Sequence, residues 1–168
     1  MAFADTIVPE FDQEMRTTRS LLERVPLDKS DWKPHTKSTA MGALAFHLAN
    51  LAGFGEMIVK QEGRDFGAAA QTSTRANAAT ERTREELLAL FDENVAKSRA
   101  ALQSLQDKDL GTTWTLSNGG NVIFAMPRAA VIRTLLMNHI IHHRGQLSVY
   151  LRLNDVPLPS IYGPTADT

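Results

Sequence analysis

The chain has 168 residues, enough for one domain with a substantial buried core. Its hydrophobic fraction of 43% and charged fraction of 22% are those of an ordinary globular protein, and a net charge of −1 points to neither nucleic acid nor an anionic membrane as partner. The absence of cysteine excludes disulfides, thiolate ligands and a cysteine nucleophile.

The first residues, Met1 to Thr6, lack the basic and apolar regions of a signal peptide. No stretch reads as the roughly 20 apolar residues of a membrane span. A soluble, cytoplasmic protein is expected. Ile7, Phe11, Met15, Thr18, Leu22 and Val25 recur at spacings of three and four, which predicts a helix over residues 6–25, stopped by Pro26. In the connection that follows, Ser38 or Thr39 is placed to cap a second helix over 40–61. The apolar stripe of that helix is Ala40, Ala43, Leu44, Leu51, Phe54 and Ile58, with His47 at its centre and Asn50 at its edge. Ala45, Ala49, Ala52 and Glu56 form the opposite, small-residue face, where another helix can pack closely.

Residues 62–79 show no sustained periodicity and form a long connection that can bring the next helix in parallel. A third helix over 80–105 points Leu87, Phe91, Val95, Leu102 and Leu105 inward, with Glu81, Glu85 and Glu86 complementing its dipole. Trp114 and Val122 to Phe124 flank Ser117-Asn118-Gly119-Gly120, the pattern of a short β-hairpin. Pro127 opens a fourth helix that runs to Leu153, and an irregular tail follows. There is no repeat and no internal boundary, so residues 1–168 read as a single all-α domain, a four-helix bundle.

The chemistry gathers in the fourth helix. At 100° per residue, His139 and His143 lie one turn apart on a face shared with Ile132, Leu135, Leu136, Gln146, Tyr150 and Leu153. That face should point into the protein, and buried polar groups need partners. A metal ion held by His47, His139 and His143 would supply one, provided the second and fourth helices are neighbours. Three neutral imidazoles are a catalytic-type ligand set that leaves a coordination position open. Zinc, nickel, copper and iron(II) all accept imidazole. Protons should compete with the metal near the free imidazole pKa of about 6.5. Ile140 follows His139, so this is not the His-Glu-x-x-His of a metalloprotease. No catalytic residue is assigned. Gln146 is placed to bond an imidazole or a metal-bound water, His142 lies off the face, and His35 reads as a surface loop residue. Tyr150 reads as core. Arg144 and Arg152 read as solvated charges. A low-charge stripe of Ala130, Met137, Ile141 and Ser148 along the back of the helix is expected to pack on another element, a homodimer contact first and the tail as the alternative.

On the run His139 to Arg152, continuing through Pro157 to Pro164, and on Trp32-Lys33-Pro34 and Leu44 to Leu48 upstream, the chain resembles the DinB/YfiT-like family over nearly its whole length. The resemblance implies a four-helix bundle in up-down-down-up order, often dimeric, holding a divalent metal on His47, His139 and His143. The metal would be zinc or nickel first, iron or copper otherwise. Some members of the wider family are transferases of low-molecular-weight thiols and many have no assigned reaction; the expectation for this chain is a metal-dependent enzyme acting on small molecules, such a transferase or a hydrolase using metal-bound water. The alternative is a non-enzymatic, stress-associated protein whose metal is structural or sequestered.

Overall fold

The computed structural model describes residues 2–67 and 83–168. Helix α1 (Phe3–Leu22) buries Ile7, Phe11, Met15, Thr18 and Leu22, and Val25 just beyond it is buried too, as the spacing predicts. It begins earlier than predicted because its first turn is tied down. The Ala2 amide donates to Asp5 at 2.9 Å, and the Phe3 amide donates to Asp107 at 2.9 Å.

Neither Ser38 nor Thr39 caps the next helix, α2 (Met41–Leu51). The loop folds back over the helix end and offers backbone carbonyls instead. The Met41 amide donates to Trp32 O at 3.0 Å, and the Gly42 amide to Ser30 O at 2.9 Å. Gly42 permits that approach, since a Cβ there would lie 2.8 Å from the Ser30 Cβ. The single second helix read from the sequence is broken at Ala52–Gly53 and resumes as α3 (Phe54–Lys60).

The next helix, α4 (Arg84–Ser104), stitches that break. Buried Ser98 donates its hydroxyl to Ala52 O at 2.5 Å and accepts from the Glu56 amide at 3.3 Å, while Asn94 donates to Ala49 O at 2.9 Å. Ala45, Ala49 and Ala52 are fully buried, so part of the small-residue face serves close helix packing as expected. Ser98→Ala leaves two backbone groups at the break without their partner. Urea unfolding should show a loss of about 1–3 kcal/mol. Thr83 caps α4 in a reciprocal pair with Glu86; the predicted start at residues 80–82 lies outside the described residues. By length and composition alone Met41–Lys60 would suffice to cross a membrane, although it carries His47, Asn50, Glu56 and Lys60. In this fold its two helices, α2 and α3, pack on α4 and on the last helix.

The all-α expectation is corrected by a three-stranded sheet, with β1 (Gly63–Asp65) parallel to β2 (Thr113–Asn118) and β2 antiparallel to β3 (Asn121–Pro127). The hairpin is the one read from the sequence, closing on Gly119 and Gly120 with φ of 58° and 81°, the left-handed values of a tight two-residue turn. β1 was not anticipated. It is held by Asp65, whose carboxylate accepts from the Gly119 amide at 2.9 Å, the Gly120 amide at 2.8 Å and the Ser117 hydroxyl at 3.0 Å. The two glycine amides, with smaller help from Ser117 and Gly67, hold its pKa down at about 2.

The last helix is continuous but not uniform: α5 (Arg128–Val131), a π-helical segment (Ile132–Asn138) and α6 (His139–Leu153). Ion pairs give the helix directions. Arg19–Asp92 and Arg99–Asp12 run α1 against α4, whereas Arg133–Glu10 and Arg144–Glu14 run the last helix along α1. The Ala49–Asn94 and Ala52–Ser98 bonds set α2–α3 along α4.

Arg144 corrects a sequence reading. It is 2% exposed rather than solvated, paired to Glu14 at 2.5 Å and donating to the Tyr162 hydroxyl at 2.5 Å. That hydroxyl donates in turn to Glu14 at 2.9 Å, so the tail is tied to a buried ion pair between α1 and α6. Arg152 is exposed as expected and pairs with Asp167. Met137, read as part of an outward stripe, is 1% exposed and belongs to the core of this chain. Ala130, Ile141 and Ser148 are half-buried, and Val156, Leu158 and Ile161 of the tail pack on the core.

Candidate metal centre

The side chains buried along α6 are Ile140, Arg144, Leu147, Tyr150 and Leu151, continuing Ile132, Leu136 and Met137 of the π segment. This stripe lies one residue beyond the one predicted. Gln146 is exposed and Leu153 is 57% exposed. A π turn takes in more residues than an α turn, so the register of the face changes across it. The buried Arg144–Glu14 pair holds the rotated setting. His139 and His143 therefore sit half-buried at the rim of the core instead of at its centre, where a site can be reached from outside.

His47 comes to them from the middle of α2. The ligand nitrogens of His47, His139 and His143 lie within 4.8 Å of one another. Ring centroids are 5.4 Å apart for His47 and His139, 4.6 Å for His47 and His143, and 4.7 Å for His139 and His143. A tetrahedral ion bound at about 2.0–2.1 Å needs nitrogens about 3.3 Å apart, within reach of small ring rotations. Burial first, then the neighbouring His143 and His139, brings the His47 pKa down to about 4. His139 is lowered as well, again by burial first and then by His143. Neutral imidazoles are what a cation requires. Among the described residues no Asp or Glu joins the cluster. The donor set fits a divalent metal.

Residues 1–167 match the family model described as the DinB family. The chain belongs to the DinB family. Its fold is similar to that of a DinB-like protein from Bacillus cereus ATCC 10987, with a TM-score of 0.69 and 21% identity over 96% of this chain and 98% of that one. A DinB-like protein from Bacillus subtilis gives 0.68 and 22% over 92% and 96%. No functionally curated protein matches.

The surroundings of this DinB-family site differ from histidine to histidine. His143 Nδ1 and Gln146 Oε1 are 2.8 Å apart. The buried Nδ1 of His139 has no hydrogen-bond partner among the described residues. Asn50 donates to Phe46 O at 2.8 Å. His142 is exposed, its ring 4.9 Å from that of His143. His35 is an exposed loop residue that accepts from the Lys37 amide and is not in the cluster. Trp32 stands edge-on to buried Tyr150 at 5.5 Å. Arg144 is what the sequence reading missed. Its signal was a lone charge in the stripe Ile140, Leu147, Leu151.

Proposed function

We propose that this protein is a divalent-metal-dependent enzyme acting on small molecules, a transferase of low-molecular-weight thiols or a hydrolase. The observation that carries the reading is the convergence of three half-buried imidazoles at a rim, with no fourth protein ligand in the cluster among the described residues. A structural site closes its coordination sphere with protein groups, whereas a catalytic one keeps a position for substrate. His47, His139 and His143 would hold the ion, zinc or nickel first and iron or copper otherwise, and Gln146 would hold a proton at His143 Nδ1. When bound, a Lewis-acidic cation supplies the lowering of a thiol or water pKa.

The test begins with metal analysis of the purified protein, followed by a thiol-dependent screen against small electrophiles. One divalent ion per chain is expected, with thiol consumption that stops on chelation and returns with the metal. Metal without any turnover would favour a structural or storage role. His47→Ala, His139→Ala or His143→Ala should each remove most of the affinity, and His35→Ala should leave it unchanged. Full metal content in a His47→Ala, His139→Ala double variant would overturn the ligand set.

The helix directions given by the ion pairs support the up-down-down-up order implied by the family resemblance. A homodimer is the expected assembly; sedimentation showing a monomer at micromolar concentration would rule it out.

A further inference from the structure

This inference rests on the metal-centre reading above and concerns how one ligand is prepared. His143 and Gln146 lie three residues apart on α6, with Nδ1 and Oε1 2.8 Å apart. A neutral imidazole carries one proton and one lone pair, on different nitrogens, and an amide oxygen can only accept. The contact therefore places the proton on Nδ1 and leaves Nε2 bare. The opposite arrangement, with the amide turned and Nε2 protonated, would leave that nitrogen without a lone pair for a metal. The buried Nδ1 of His139 has no such partner among the described residues. The outer partner comes from the helix that carries both ligands, so His143 is set before any ion arrives.

We propose that Gln146 is a positioning residue, which selects the Nε2 lone pair of His143 as a metal ligand and holds that ring's orientation. Its amide is neutral where a carboxylate often serves as outer partner, so His143 remains the weaker donor of the two possibilities. A merely structural role is a poor fit. Gln146 is exposed, and a Cβ on the adjacent Gly145 would meet nothing within 4 Å.

The experiment compares wild type, Gln146→Leu and Gln146→Glu. Zinc affinity is read by competition with a chromophoric chelator, and the His143 tautomer by nitrogen-15 NMR of the metal-free protein at pH 7.5. Wild type should carry its proton on Nδ1. Gln146→Leu should lose about 10–100-fold in zinc affinity with an unchanged metal-free melting temperature, and Gln146→Glu should match or exceed wild type. Zinc binding by Gln146→Leu within about twofold of wild type would overturn the proposal, since outer partners of ligating histidines normally matter by tenfold or more. So would a wild-type His143 protonated on Nε2. A wild type that binds no zinc would fail the metal reading itself, and the wild-type titration tells that outcome from the others.

Discussion

Replacing Glu14 by leucine should lower the unfolding free energy by about 3–5 kcal/mol, because it leaves the Arg144 guanidinium buried without its counter-charge. The Glu14 and Arg144 side chains are 10% and 2% exposed, and among the described residues Arg144 then keeps the Glu14 backbone carbonyl at 3.2 Å and the hydroxyl and ring of Tyr162. Replacing both partners, Glu14→Leu with Arg144→Met, should recover most of that loss, since a buried ion pair and a well-packed apolar pair are often close in stability. Urea denaturation of the three proteins measures both effects. A single variant within about 1 kcal/mol of wild type would mean that water reaches the guanidinium. The pair also sets the rotation of α6, so the single variant should weaken metal binding, whereas a purely local role would leave it unchanged.

Metal should raise the melting temperature at pH 7.5 and fail to do so at pH 4. An ion that binds only the folded chain adds roughly 2.7 kcal/mol at a hundredfold excess over its dissociation constant. The free imidazole value would place the loss of this increment just below about pH 6.5. Burial lowers the metal-free pKa of His47 to about 4, so at this ligand proton competition sets in at lower pH than for a free imidazole. The metal-free protein has its own dependence of the same sign. With His47 and His139 lowered in the folded state, the unfolded chain binds more protons below about pH 6.5. The contribution is complete above about 6.5 and, for His47, is lost as the pH falls through about 4. Thermal melts of loaded and chelated protein at the two pH values check both statements, and His47→Gln should flatten the metal-free profile. Equal melting temperatures at pH 7.5 would mean that no metal binds. The chelated protein should remain folded, since the helices bury their apolar stripes without the ion.

Local pattern was enough for where most of the helices lie and for the candidate ligands. The face of α1 follows from spacings of three and four alone, because a surface helix has one side to bury and the periodicity records which. The turn at Gly119 and Gly120 was legible for a similar reason, as few other residues accept positive φ. His47, His139 and His143 could be named together because histidines on core-facing stripes need partners. What the chain by itself left open were the features that depend on a second segment. The three residues of β1 are too short for any period, and they form a strand only because β2 and Asp65 receive them. The break at Ala52–Gly53 exists beside Ser98 of another helix, and α2 is capped by carbonyls of a folded-back loop that no cap residue announces. The rotation of α6 was decided in the same way. A uniform 3.6-residue period puts the histidines at the centre of the core, whereas the π segment and the ion pair to Glu14 turn Arg144 inward and bring the histidines to the rim. Sequence periodicity reports which faces avoid water; where a helix meets its neighbours is decided by contacts between residues far apart in the chain, and here those contacts convert a buried histidine row into an accessible site.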